Sequence, residues 1–241
     1  MSKTKNAAKT NPHEGHRERL REQFRAHGLD SFADHHVLEL LLTYVIPQRD
    51  VKPLANLLIE HFGSFASVFE APPTELAEVK GIGERAALLI SLIMQTTRRY
   101  QISKAEKYQM LDSTERAGAF IMPRFHGLTH EEIYMVSLDG KLKATHCVKL
   151  AEGSVNSANF SVRYAVETAL RQRAVHVILA HNHPSGIALP NMTDIATTER
   201  LTKALDIVGI HLIDHLIVAD GDFVSMRDSG HLNKIKREKP L

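Results

Sequence analysis

The spacing of apolar residues along this chain changes once. Up to about residue 103 they recur with a helical period, and from about residue 113 apolar and polar residues alternate, as in half-buried strands. Two periods in two blocks specify a helical domain followed by an α/β domain. In the first block HVLELLLTYVI is strongly apolar, and Pro47 ends it. Asp50 is placed to cap KPLANLLIEHF, which stops at Gly63; SFASVFEA is a short third piece. TELAEVKGIGERAALLISLIMQTTRRY reads as two helices joined at Gly81-Ile82-Gly83, and the polar residues 101–110 read as a linker. In the second block EIYMVSLD and KATHCVKLAEG read as strands with a turn at Asp139-Gly140. VRYAVETALRQRA puts Val162, Ala165, Val166, Ala169 and Leu170 on one helical face. VHVILA is a short buried strand, TDIATTERLTKALDIVG a helix and IHLIDHLIVAD a strand. The expected organisation is a tail over 1–12, a helical domain over 13–105, an α/β domain over 110–232 and a basic tail over 233–241.

Composition narrows the class of protein. At 43% hydrophobic and 24% charged residues, the chain of 241 has an ordinary globular profile. No apolar run approaches the roughly 20 residues that a membrane span needs. MSKTKNAAKT lacks the apolar core of an export signal, and Cys147 is the single cysteine, which rules out an internal disulfide. The expected compartment is the cytoplasm. A net charge of +2 neither requires nor excludes a nucleic-acid partner. The basic residues Lys3, Lys5, Lys9, Arg17, Arg19, Arg21 and Arg25 and the tail KIKREKPL read in two ways. They are a solvated face with frayed ends, or an electrostatic footprint for nucleic acid. Gly81 and Gly83 are equally two-sided. They make a tight helix–helix turn, or they let backbone N–H groups at the second helix's start approach a phosphate.

The stretch HNHPSGIALPNMTD, residues 181–194, carries the chemistry. His181 and His183 end a strand, and residues i and i+2 share a face, so both imidazoles can address one point. Pro184 and Gly186 turn the chain out, and Pro190-Asn191 starts a helix with Asp194 in its first turn. A returning helix would complete a set of two imidazole nitrogens and one carboxylate oxygen. That set leaves one tetrahedral position for water, as catalytic rather than structural zinc sites do. The competing reading keeps the histidines as chance neighbours among 15, and Asn191 and Asp194 as a helix cap with its first-turn acid. Ser185 caps the turn, since no base is assigned to it. Asp214 and His215 read as strand residues, His215 either hydrogen-bonded near the core or orienting a zinc-ligating imidazole. Cys147 reads as a small core residue.

HNHPSG followed after eight residues by Asp194 resembles the JAMM metalloprotease motif of the JAB/MPN fold. GHRERLREQF, LELLLTYVIPQRDVKPLA, GSFASVFEA, VKGIGERAA, HNHPSG and IDHLIVAD together resemble the RadC family (UPF0758) over about residues 13–230. The resemblance implies an α/β (α+β) protein: a helix-hairpin-helix-like N-terminal domain, and a C-terminal JAB/MPN domain with a mixed, cytidine-deaminase-like sheet flanked by helices. It implies Zn²⁺ on His181, His183 and Asp194. It also implies a glutamate before the first strand that takes a proton from water. That position is Glu131, with Glu132 beside it. Two departures stand out. The family motif's serine, which helps hold an oxyanion, is Asn191 here, whose amide can donate the same hydrogen bond. Where the family has a His-Pro-Arg-Glu run, this chain reads FSVRYAVE. Three functions follow: a zinc hydrolase of amide or isopeptide bonds, a DNA-associated protein acting in repair or recombination through Gly81 and Gly83, or an inactive scaffold.

Overall fold

A computed structural model of the chain describes residues 12–47, 49–106, 110–153 and 160–237. They form two compact units that divide after Thr96. The first unit is built from α1 (Pro12–His27), α2 (Asp34–Val45), α3 (Lys52–Phe62), α4 (Phe65–Glu70), α5 (Pro73–Glu78) and most of α6 (Glu84–Ala105). Its core takes Leu38 and Leu42 from α2, Leu54 and Leu58 from α3, and Ile90 from α6, each pair one helical turn apart on its own helix. Gly63 ends α3 at φ +86°, as expected, while the N-cap of α3 is Val51 and Asp50 sits one residue before it, its Oδ1 accepting from the Lys52 N–H (3.0 Å); Ser64 caps α4.

The linker expected at 101–110 is partly helix. Residues 101–105 extend α6, with Ala105 buried, and residues 107–109 lie outside those described. The last turns of α6 belong with the second unit. Arg98 Nη2 reaches Glu132 Oε2 (3.3 Å) and Tyr134 Oη (3.2 Å), so the division into units falls within the helix and not at its end.

The second unit continues with α7 (Thr114–Ile121), a 3-10 turn at Met122–Arg124, β1 (Glu132–Leu138), β2 (Ala144–Glu152), α8 (Val162–Arg171), β3 (His176–Asn182), α9 (Met192–Ile207), β4 (His211–Ala219), β5 (Asp222–Ser225) and α10 (His231–Arg237). The strands form one mixed sheet in the order β2-β1-β3-β4-β5, with β3 and β4 parallel and the other neighbours antiparallel. The parallel pair requires a crossover, and α9 supplies it. Both sheet faces are covered. Ile133, Met135, Val177 and Leu179 pack with α8 and α9, and Val136, Leu138, Ile178 and Ala180 pack with α7. This three-layer arrangement explains why β1 and β3 are buried on both sides.

Four elements differ from the sequence expectation. Residues 114–121 are helical, capped by Ser113, within the block read as alternating. β5 and α10 were not anticipated, and residues 233–237 of the expected basic tail lie in α10, where Ile235 is buried. The buried face of α8 is also rotated: Thr168 is 3% exposed and Leu170 49%, because the sheet meets the stripe Ala165, Thr168, Ala169. The expected tails at 1–11 and 238–241 lie outside the described residues.

Gly81 sits at φ +97°, where an added Cβ would lie 2.8 Å from Leu54 Cδ2. Gly81→Ala is therefore expected to destabilise the helical unit by about 1–3 kcal/mol through backbone strain and overpacking. Denaturant unfolding followed by circular dichroism measures this; an unchanged midpoint would show that the turn tolerates a side chain.

Candidate metal centre

β3 presents its odd-numbered residues to the α8/α9 face, so His181 follows Val177 and Leu179 on that face, and His183 comes next. Beyond Asn182 the strand stays beside β4, with the His183 N–H donating to Val218 O (2.8 Å). The Pro-Ser-Gly turn then reverses the chain. Gly186 adopts φ +82° beneath the Asp220 carboxylate, 2.8 Å from where a Cβ would sit. The returning chain enters α9 through a reciprocal cap. Asn191 Oδ1 accepts from the N–H groups of Thr193 (2.8 Å) and Asp194 (2.9 Å), while Asp194 Oδ2 accepts from the Asn191 N–H (2.8 Å). Asn191 and Asp194 are thus a helix cap, and the same cap brings Asp194 to the histidines.

The three side chains converge tightly. His181 Nε2 is 2.9 Å from His183 Nε2 and 3.1 Å from Asp194 Oδ1, and His183 Nε2 is 3.4 Å from Asp194 Oδ2. A tetrahedral ion with bonds of about 2.0–2.2 Å separates its ligand atoms by about 3.3–3.6 Å. Asp194 is fully buried, and its Oδ1 accepts no hydrogen bond.

Hydrogen-bond partners set the tautomers. His183 Nδ1 lies 3.0 Å from the Ile187 carbonyl, which only accepts, so the proton is on Nδ1 and Nε2 keeps its lone pair. For His181 the chain of bonds is longer. Thr198 Oγ1 donates to the Asp194 carbonyl at 2.5 Å, and so it accepts from His215 Nδ1 at 2.6 Å. His215 Nε2 then accepts from His181 Nδ1 at 2.8 Å, which leaves the His181 Nε2 lone pair facing the carboxylate. Burial holds His215 well below the ordinary histidine value and neutral, as this relay requires. Two lone pairs and an unpartnered carboxylate oxygen facing one point make a candidate cation site. These residues fit a tetrahedral metal ion with one position open.

Glu131 and Glu132 separate onto opposite sheet faces. Ile133 pairs with His181 at the end of the antiparallel β1/β3 ladder, and Glu131, one residue before β1, would fall on the histidine face if the strand alternation continues to it. Glu132 belongs to the α7 face. Its carboxylate meets Lys149 Nζ (3.0 Å), Arg98 Nη2 (3.3 Å) and Tyr134 Oη (2.8 Å). Burial pushes Glu132 up, but Tyr134, Lys149 and Arg98 together hold it below its ordinary value; burial and Glu132 raise Tyr134 to about 12. His130, Glu132 and Glu152 also cluster, but Lys149 Nζ already stands 3.0 and 3.1 Å from the two carboxylates, where a cation would sit.

The remaining residues singled out from sequence lie apart. Gly81 and Gly83 are in the helical unit, in the turn before α6. Ser185 is exposed in the reversal after His183. Burial raises the Cys147 thiol to about 11, consistent with a core role. Asp214 accepts from Ser225 Oγ (2.6 Å) and from the N–H groups of His215 (2.7 Å) and Arg227 (3.0 Å), tying β4 to β5. His215 is buried and its Nε2 lies 2.8 Å from His181 Nδ1, so it is at once a core residue and a hydrogen-bond partner of that imidazole. Thr198, which sequence reasoning missed, stands one helical turn after Asp194, and that spacing is its one sequence signal.

A mixed sheet that ends a central strand in two histidines, beneath an aspartate in the first turn of the crossover helix, defines a JAB-type domain. The comparisons agree. The RadC-like JAB domain matches residues 111–231, and the UPF0758 N-terminal family matches residues 13–88. A UPF0758 protein of Ruegeria pomeroyi is 35% identical over 217 residues, covering 90% of this chain and 97% of the relative. One from Rhodobacter capsulatus is 34% identical, covering 88% and 100%. One from Vibrio cholerae is 32% identical, covering 87% and 94%. The chain belongs to the RadC-like UPF0758 family.

Two outcomes are expected of the site. His181→Ala should abolish stoichiometric zinc, while Thr198→Val, which removes only the end of the relay, should weaken zinc affinity about 10–100-fold. Competition with a chromogenic chelator measures both, and full zinc content in His181→Ala would exclude the site. On the opposite face, the lowered Glu132 carboxyl contributes stability that is present above the ordinary glutamate value of 4.5 and is lost as pH falls through its folded value. Glu132→Gln should cost about 1–3 kcal/mol at neutral pH and flatten the acid limb of a stability–pH curve.

Proposed function

We propose that this protein is a zinc-dependent hydrolase that cleaves an amide or isopeptide bond in a peptide substrate. The observation supporting the reading is the convergence of His181 Nε2, His183 Nε2 and the Asp194 carboxylate, with their lone pairs turned to one point. When bound there, zinc supplies Lewis acidity and lowers the pKa of water toward about 7. The protein's residues do the rest. Glu131, on the histidine face of β1, accepts the proton of the attacking water and delivers it to the departing amine nitrogen. Asn191 commits Oδ1 to the α9 cap, which leaves Nδ2 as the donor to the developing oxyanion. Glu132 has no part in this, because its carboxylate is held on the other face.

The family's printed names specify no reaction. Association with DNA is the second reading, and its support is the Gly81–Gly83 turn, with the Arg49 guanidinium 3.3 Å from a Cβ position on Gly81. The helical unit as a whole is close to charge balance, which weakens that support. No described helix is long and apolar enough to cross a membrane.

A peptide and isopeptide library screened with the zinc-loaded protein tests the proposal. Glu131→Gln should keep zinc and lower turnover at least about 100-fold. Asn191→Ser should retain or raise turnover. Wild-type turnover by Glu131→Gln would remove its role as base. A fully zinc-loaded protein inert across the library would favour the scaffold or DNA-associated roles.

A further inference from the structure

Asn182, between the two metal-site histidines, is 5% exposed, and its side chain points to the face opposite theirs. It therefore cannot share their role. Both ends of its amide are nevertheless engaged. Oδ1 accepts from the Glu132 N–H at 2.7 Å, and Nδ2 donates to the His130 carbonyl at 2.9 Å. These two backbone groups flank Glu131. A third bond completes the restraint: the Glu131 carbonyl accepts from the Gly153 N–H at 2.8 Å.

The reason for a side chain here is visible in the ladder. The backbone ladder between β1 and β3 ends at Ile133 and His181, so the next facing pair, Glu132 and Asn182, lies outside it. Past that point β3 no longer offers β1 the paired donor and acceptor of an antiparallel ladder. The Asn182 amide supplies one of each, in the same relation to β1. Aspartate lacks the donor, and an aliphatic residue lacks both.

We infer that Asn182 is a positioning residue that holds Glu131 against the metal centre, so that the HNH triplet carries two ligands and the anchor for the base. The inference rests on the reading of Glu131 given under Proposed function. The backbone of Glu131 is fixed on three sides, and strand alternation then commits its side chain to the histidine face. Asn182 thus links the ligand strand directly to the strand that carries the base.

The test uses the full-length zinc-loaded protein and acetohydroxamic acid, a zinc-binding probe that releases a proton on binding, which a nearby carboxylate stabilises by holding it. Glu131→Gln and Asn182→Ala should each weaken acetohydroxamate binding about tenfold. The double variant should bind no more weakly than either single one, because Asn182 acts only through Glu131. Zinc affinity should stay within about threefold of wild type in all three, and hydrogen exchange at the Glu132 amide should accelerate in Asn182→Ala. Asn182→Asp keeps the acceptor and loses the donor. It should fall between wild type and Asn182→Ala, and it carries the test if the alanine variant does not fold. Wild-type hydroxamate affinity in Asn182→Ala, additive losses in the double variant, or parallel loss of zinc would each overturn the inference. If Glu131→Gln itself leaves hydroxamate binding unchanged, the assignment of the base falls first and the inference falls with it.

Discussion

The carboxylate of Asp194 is divided between two tasks. Oδ2 closes the cap of α9 by accepting the Asn191 N–H, while Oδ1 is left without a hydrogen bond beside His181. A fully buried carboxylate is tolerated only when its charge is compensated. Here the helix N-terminus compensates on one side, and on the other Oδ1 and the two imidazole lone pairs face the point where a cation would balance them. The crossover helix, the strand end and the turn between them must all be in register for this to hold. The parallel pairing of β3 with β4 makes the crossover necessary, so the sheet topology and the site are one constraint.

From that point the polar groups spread inward in a definite order. His215 on β4 orients His181, Thr198 on α9 orients His215, and the Asp194 carbonyl orients Thr198. The relay therefore begins and ends on metal-site residues, and each hydroxyl or ring proton has one acceptor. Such closure rigidifies a buried polar network and leaves lone pairs directed only where a cation would balance them. The opposite sheet face carries a different network, with Glu132 among Lys149, Arg98, Tyr134 and His130. That network neutralises itself and needs no ion.

Much of the site was legible before any coordinates. The i, i+2 histidines, the Pro-Ser-Gly reversal and Asp194 in a first helical turn specify a convergence, because strand and helix periods say which residues share a face. The two readings of Asn191 and Asp194, cap or metal site, are not alternatives: the reciprocal cap is the device that delivers the aspartate. The choice of Glu131 over Glu132 came from the family resemblance; which sheet face each falls on follows from alternation only once the pairing of Ile133 with His181 is known. Less legible were α7 and the buried face of α8. In α7 the helix is short, and its stripe is set by the sheet it covers; in α8 the sheet selects Thr168 over the more apolar Leu170.

By itself the sequence determined the two periods, the stop at Gly63, the cap at Asn191, and the donor atoms available at 181, 183 and 194, all of which depend on local spacing. Only the tertiary structure decided what lies behind the ligands. The register between β3 and β4 shifts after the pairing of Val177 with Leu212, so that Ile178 meets Asp214 and Leu179 meets His215. Without that shift, strict alternation from Leu212 would turn Asp214 toward the metal-site face and His215 away from it. A one-residue slip exchanges the two faces of a strand, and it depends on pairing between segments more than 30 residues apart, which no local pattern records.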